Sequence, residues 1–398
     1  MTTLNWIFWA SLFILFYAYI GYGILLVILV KIKELFATKK QPELPADDKL
    51  PTITLFITAF NEEKIVHSKM ENCQAIDYPA DKLEIVWCTD GSDDRTVDIL
   101  KEYPSVRVLH EDTRAGKTAA MNRGVRFVSN DIIVFTDANT LINSLAIKEI
   151  VRRFQDPKIG CVAGEKRIMQ KEKDDAASGG EGIYWRYESK LKELDDRLYS
   201  TIGAAGELFS VRRDLFFEMP KDTLLDDFIL SMRIAMKGYK IAYTPSAFAE
   251  ESGSLNMHEE EKRKVRIAAG GLQSIWRLRK LLNIFKYRTL SFQYISHRVL
   301  RWAVCPILLF LMIPINIIVA FYPQLNLFFA TCLLLQFFLY MMGLAGYLMA
   351  KKQIKNKVLF IPYYFLFMNW NCIKGFAYLI KKQKQKNGAW EKSLRSEG

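Results

Sequence analysis

No residue from Met1 to Val30 carries a charge, and none does between Arg301 and Lys351. Both stretches are dense in Leu, Ile and Phe. About 20 consecutive apolar residues cross the hydrocarbon core of a bilayer as a helix. The first stretch therefore predicts one anchor, and the second predicts two spans with a turn near Tyr322–Asn326. The first lacks the basic start and short apolar core of a secretory signal, so it is expected to be retained. A further apolar segment, Val358–Ile380, holds Asn369, Asn371 and Lys374 in its second half. Hydrophobic residues are 51% of the 398 and charged residues 25%, a mixture that fits a membrane protein because the apolar share is concentrated in these segments.

The net charge of +12 is set beside the same segments, at Lys31, Lys33, Lys39 and Lys40, at Lys351, Lys352, Lys355 and Lys357, and at Lys381, Lys382, Lys384 and Lys386. Juxtamembrane basic clusters mark the cytoplasmic side and attract anionic lipid. The expected partner of this charge is the lipid bilayer, not nucleic acid. If Val358–Ile380 crossed fully, the basic tail would emerge on the wrong side. Its polar residues predict a re-entrant hairpin or an interfacial helix pair instead. The six cysteines and four histidines are scattered, with no CxxC or Cys/His cluster, so neither zinc nor a disulfide framework is indicated.

The polar region alternates strands with helices. Thr52–Phe60, Glu84–Asp90, Val106–His110 and Asp131–Thr140 read as strands, and the helices between them end near Ala75, Tyr103 and Val128. This order predicts an α/β fold with a mostly parallel sheet flanked by helices. Ile132–Phe135 is a continuous apolar run, as expected of a strand buried on both faces. It ends in Thr136-Asp137-Ala138-Asn139. On an extended segment Asp137 and Asn139 would point the same way and could hold one hard cation; the same residues also suit a plain turn. Ligands of open α/β sheets gather beyond the carboxyl ends of strands. Three such ends here are polar: Asn61-Glu62, Asp90 with Asp93 and Asp94, and Asp137 with Asn139. The polar region contains neither a GxGxxG loop nor a GxxxxGK[ST] loop. Carboxylates in their place suit a nucleotide held by its base, its ribose and a cation on its phosphates.

TAFNEE at Thr58–Glu63, TDGSDD at Thr89–Asp94 and TDAN at Thr136–Asn139, at these separations, resemble family 2 glycosyltransferases of the GT-A fold. Further likenesses follow in order. Gly203–Arg213 (GAAGELFSVRR) resembles the acceptor-side strand and Leu224–Arg233 (LLDDFILSMR) the catalytic helix. Arg263–Gly270 (RKVRIAAG) falls where processive members carry QxxRW, and Ser296–Trp302 (SHRVLRW) resembles the interfacial helix before the spans. The layout is similar to polysaccharide synthases of the hyaluronan, cellulose and poly-N-acetylglucosamine type. The expected division is an anchor at 1–40, a cytosolic GT-A domain at 41–255, interfacial amphipathic helices at 256–301, and a membrane region with a basic tail at 302–398.

The resemblance implies site residues. Asp90 would hydrogen-bond uracil or ribose of a UDP-sugar, Ala59 and Glu62 would line the nucleotide, and Lys117 would meet uridine or phosphate. Asp137 would hold Mg²⁺ or Mn²⁺ on the diphosphate. Asn139 would be a second ligand, where the family more often has Asp. Asp226 and Asp227 sit at a helix start, and neighbours there are about 100° apart, so one is expected to face the reacting centre. The resemblance selects Asp227 as the general base that takes the acceptor proton, with inversion at the sugar carbon. Arg266 matches the arginine of QxxRW and would contact diphosphate, while Arg263 and Ile267 replace its Gln and Trp. Trp276 lies farther along. Glu181–Leu198 is amphipathic, with Ile183, Tyr187, Leu191 and Leu194 near one face; it would lie on the membrane, shape the acceptor cleft, or simply pack.

The expected protein is a multi-pass cell-membrane glycosyltransferase, catalytic on the cytoplasmic side, extending a polysaccharide alone, as a homo-oligomer or with export subunits. Competing readings are transfer of one sugar to a lipid or glycan carrier, and a catalytically silent component of an export complex.

Overall fold

The segment expected to be an anchor is one helical run: α1 (Thr2–Phe16) passes through a π-helical turn at Tyr17–Gly21 into α2 (Tyr22–Phe36). The computed structural model describes residues 2–36, 42–169, 176–254, 256–321, 325–352, 354 and 356–384. Residues 322–324 of the expected turn, and Lys39, Lys40, Lys355 and Lys386, lie outside the described residues.

Strands and helices then alternate. β1 (Ile53–Ala59), α3 (Val66–Gln74), β2 (Leu83–Asp90), α4 (Thr96–Lys101), β3 (Val106–Glu111), α5 (Lys117–Val125) and β4 (Ile132–Asp137) form the first half. The second half comprises β5 (Thr140–Ile142), α6 (Ala146–Phe154), β6 (Ile159–Ile168), α7 (Ala176–Leu198), β7 (Leu208–Arg212), α8 (Asp226–Met236) and β8 (Lys240–Glu251). The remainder is helical. α9 (Met257–Arg277) and α10 (Ile284–Tyr294) lead through a π-helical stretch, Ile295–Val304, into α11 (Cys305–Phe321), α12 (Leu327–Lys351) and α13 (Lys357–Lys384).

One eight-stranded sheet runs β3-β2-β1-β4-β7-β6-β8-β5. β1, β2, β3 and β4 are mutually parallel, while β7 runs against both β4 and β6. In register, Ala59 faces Thr89 and Thr58 faces Asp137, so the carboxyl ends of β1, β2 and β4 share one rim. The apolar runs are buried on both faces, as parallel strands require. Phe56, Ile133 and Phe135 enter one core with Phe209 and Phe228. Leu55, Ile57 and Val134 enter the other with Ile147 and Ile150 of α6.

Two expectations are corrected. β4 ends at Asp137, and Ala138 and Asn139 form a turn before β5, so Asp137 and Asn139 do not share an extended segment. The turn is held by its own hydroxyls: Thr140 Oγ1 donates to the Asp137 carbonyl at 2.9 Å. Beneath it the fully buried Lys69 donates to the Thr140 carbonyl at 2.6 Å. The second correction concerns Val358–Ile380, which is neither a hairpin nor a helix pair but part of the unbroken α13. Asn369 and Asn371 are buried within the unbroken helix, where Asn369 accepts from Tyr19 Oη at 2.6 Å, and the half-exposed Lys374 pairs with Glu261.

Among the described residues three helical runs are long and apolar enough to cross a membrane: Thr3–Phe36, Ile284–Phe321 and Leu327–Lys351. α13 packs along α9 and α12. Leu191 and Leu194 of α7 are buried against Tyr22, Leu26 and Val30 of the anchor. The apolar stripe expected on that helix therefore packs on another helix of the same chain, and Ile183 lies outside the side chains described.

Candidate active site

The loops after β1 and β2 are tied together by the acids that follow each strand. Asn61 Nδ2 donates to Asp93 Oδ1 at 2.6 Å, and the Glu63 amide donates to Asp94 Oδ2 at 3.1 Å. Asp94 Oδ1 also accepts from the Thr96 amide at 2.9 Å, opening α4. Asp93 and Asp94 thus organise backbone. Asp90, three residues before Asp93 on the rim, is 4% exposed. Its Oδ2 accepts from the amides of Ala115 and Gly116 at 3.0 and 2.6 Å, which fixes the entry to α5. Its Oδ1 is buried with no hydrogen-bond partner, 3.6 Å from Arg123 Nη1. Gly91 (φ +70°) is required here, because a Cβ would lie 2.6 Å from the Arg114 amide nitrogen.

Entry to α5 places Lys117 across from the end of β4. Its Nζ donates to Asp137 Oδ1 at 2.6 Å and lies 4.0 Å from Asp226 Oδ2. Burial by itself would lower the Lys117 pKa, but Asp137, Asp226 and Asp227 outweigh it and hold it above its ordinary value. Asp226 and Asp227 form the first turn of α8, held against the sheet by Phe228 beneath Gly203 (φ +82°). Asp227 Oδ1 accepts from the Phe228 amide at 2.7 Å. Burial, then the neighbouring Asp226 carboxylate, pushes the Asp227 carboxyl up to about 7, with Lys117 opposing.

Two adjoining cavities open on this rim. The smaller, about 250 Å³, is lined by Ala59, Glu62, Asp90, Asn139 and the Phe60–Arg114 pair, whose guanidinium lies 3.6 Å over the ring. The larger, about 550 Å³, extends from Asp227 and Glu207 to Tyr19 of the anchor and Tyr364 of α13. Lys117, Asp137, Leu224, Asp226, Arg263 and Arg266 line both. All eight residues singled out in the sequence (Ala59, Glu62, Asp90, Lys117, Asp137, Asn139, Asp227 and Arg266) therefore line one composite cleft. Asp226 and Asp227 both line it, Asp226 where the two cavities meet and Asp227 in the larger one.

Sequence reasoning missed several lining residues. Lys166 bridges Glu207 and Glu251 in near-complete burial, which, against burial's opposite pull, holds the Glu207 carboxyl well below its ordinary range. Trp185 and Trp302 line the larger cavity, whereas Trp276 is 70% exposed and lines neither. Glu188 meets Arg298 at 2.6 Å and Arg301 at 3.2 Å. Its α7 neighbours Lys192 and Asp195 follow at helical spacing. That polar stripe was the available signal, running beside the apolar one.

Among the described residues no group of three or more His, Cys, Asp or Glu could hold a metal. A cation bound chiefly by phosphate and water needs fewer, since Mg²⁺ commonly takes one or two carboxylates. Asp137 and the buried Asp226 Oδ2, which has no hydrogen-bond partner, supply that number in the cleft. The donor set fits such an ion.

Residues 51–270, more than half of the chain, match the model of the glycosyltransferase-like family 2. The chain belongs to glycosyltransferase family 2. It is 27% identical over 253 residues to a poly-β-1,6-N-acetyl-D-glucosamine synthase of Staphylococcus aureus, covering 61% of this chain and 60% of that one. The synthase of the same description from Staphylococcus epidermidis is also 27% identical, over 286 residues, 67% of this chain and 66% of that one. The matches thus span less than two thirds of these relatives' length. In fold, the enzyme is similar to a mannosyltransferase from Pyrobaculum calidifontis solved with GDP-Man and Mn²⁺. The TM-score is 0.71 at 21% identity, and the match covers 96% of this chain and 99% of that one. This glycosyltransferase therefore has the GT-A architecture over its α/β region.

Proposed function

We propose that this glycosyltransferase is an inverting membrane enzyme that moves a sugar from a UDP-sugar to a hydroxyl of a growing polysaccharide. The reading rests on one observation above all. Asp227, a part-buried carboxyl pushed up to about 7 by desolvation and the Asp226 carboxylate, lines the larger cavity beside Asp226, which borders the smaller cavity as well. In this reading residues 41–255 form the cytosolic catalytic unit, 256–301 the interface, and the flanking segments sit in the cell membrane.

Ala59, Glu62 and Asp90 hold the nucleoside, with the free Asp90 Oδ1 available to a ribose or base donor. Lys117 and Arg266 offset charge on the diphosphate. Asp137, with Asn139 and the Asp226 carboxylate as further oxygen donors, would hold Mg²⁺ or Mn²⁺, which when bound supplies Lewis-acid neutralisation of the leaving diphosphate. Asp227 takes the acceptor hydroxyl proton as that oxygen bonds to the anomeric carbon and the carbon–phosphate oxygen bond breaks. UDP leaves from the opposite face, so an α-linked donor gives a β-linked product. The transition state has oxocarbenium character, as in glycoside chemistry.

The relatives' described product makes a β-linked N-acetylglucosamine polymer the first to test. Ile267 in place of the expected Trp favours single addition, whereas Trp185 and Trp302 offer other stacking faces to a saccharide. Purified protein given labelled UDP-N-acetylglucosamine and other UDP-sugars with Mg²⁺ or Mn²⁺ is expected to form a ladder of products. One discrete product would establish single transfer, and no product with any donor would support the silent component.

A further inference from the structure

Among the described residues of the larger cavity, Lys192 stands without a counter-ion. Lys192, on α7, is 4% exposed and lines the cavity. Its Nζ makes no hydrogen bond or ion pair with any described residue; the rings of Trp185 and Tyr243 lie 5.8 Å from it. Other cations in or behind this lining have carboxylates. Lys166 holds Glu207 and Glu251, Arg263 and Lys264 hold Glu260 at 3.1 and 3.2 Å, and Arg298 and Arg301 hold Glu188. Trp185 gathers three ammonium groups, with Lys166 at 5.4 Å and Lys264 at 5.7 Å from its ring centre besides Lys192. An aromatic face attracts a cation but does not replace the hydration lost on burial.

Carboxylates near Lys192 are already engaged. Glu165 accepts from Ser189 and Tyr243, and Glu188 is shared among Arg298, Arg301 and His297. Burial accordingly depresses the Lys192 pKa, and the surrounding carboxylates only partly offset it. The missing partner is an oxyanion from outside the chain. α13 adds a largely apolar lining, Ile361, Tyr364, Phe365 and Met368 beside Asn369, with Tyr19 of α1–α2. An oxyanion on an apolar body satisfies both Lys192 and this lining.

We propose that the acceptor is a saccharide carried on a lipid phosphate, with a phosphate oxygen on Lys192 Nζ and the apolar chain along α13. The proposal rests on the glycosyl-transfer reading and names its acceptor class. It is tested on the purified full chain in non-ionic detergent by the affinities of farnesyl phosphate, farnesol and inorganic phosphate, read by thermal shift. Farnesyl phosphate is expected to bind about tenfold or more tightly than farnesol, the scale of one buried charge-assisted hydrogen bond. That advantage disappears in Lys192→Met, returns in Lys192→Arg, and survives in Lys190→Met, an exposed lysine of the same helix.

Equal binding of farnesol and its phosphate, or an advantage that persists in Lys192→Met, overturns the proposal. Saturation by inorganic phosphate alone, or competition by glucuronate equal to that of farnesyl phosphate, overturns the lipid assignment. UDP release from a UDP-sugar is followed in parallel. Release without phosphate discrimination defeats only the acceptor class. Discrimination without release from any donor defeats the glycosyl-transfer reading.

Discussion

Asp227→Asn is expected to leave UDP affinity within about twofold of the parent while lowering the transfer rate by about 10²–10⁴, the usual contribution of a positioned general base. The substitution keeps volume and the hydrogen bond from the Phe228 amide but removes the proton acceptor. The measurement is labelled-sugar incorporation beside UDP titration. The base works ionised, so the parent's rate should rise with pH through about 7 and level off above it. The variant's residual rate should lack that inflection. Stability moves the other way. A carboxyl whose folded pKa lies above its ordinary 3.8 favours folding most below that value, and this contribution is lost as pH rises through about 7. At pH 8 Asp227→Asn is therefore expected to unfold no more easily than the parent. A variant that transfers at the parental rate removes Asp227 from the mechanism.

Glu188→Gln is expected to cost about 3–5 kcal/mol of folding stability, the scale for removing one partner of a buried ion cluster. Glu188 is 1% exposed and meets His297 at 3.3 Å besides the two arginines. His297 continues to Asp195 at 2.6 Å, and Asp195 accepts from Tyr22 Oη of the anchor at 2.5 Å. The cluster thus joins α7, the π-helical stretch Ile295–Val304 and α2. Burial alone would raise the Glu188 pKa, but Arg298, His297 and Arg301 outweigh it and hold it well below the ordinary 4.5. Its stabilising contribution is present above that value and lost as pH falls below it. Urea midpoints in detergent check the loss. Glu188→Gln combined with Arg301→Met should regain part of it, because one stranded charge is then gone. An unchanged midpoint in the single variant would mean that the cluster does not hold these parts together.

Much of the cleft was legible because its strands speak through local chemistry. Apolar runs that end in Asp90 and Asp137 mark parallel strands and their ligand-bearing rim, and parallel register alone brings those acids together. What escaped depends on packing over long separations. The turn after Asp137 is set by Lys69, 71 residues before the Thr140 carbonyl it holds. Lys69 stood in the apolar stripe of Val66, Met70 and Cys73, a signal visible only once its acceptor is known. Asp226 was set aside because the resemblance selected Asp227; that it borders both cavities follows from how the first turn of α8 packs on the rim. The polar residues of α13 suggested a break because water was the assumed partner; Tyr19 and Glu261 take that role.

The central claim is that a cation-held diphosphate departs from the rim beside Asp137. Its most direct test is UDP release from a UDP-sugar by purified protein, with Mg²⁺ or Mn²⁺ and after chelation, for the parent and Asp137→Ala. The account predicts release that needs the ion in the parent and falls at least about 100-fold in the variant, with UDP affinity weakened as well. Release at equal rates with and without the ion, or undiminished in Asp137→Ala, would contradict it.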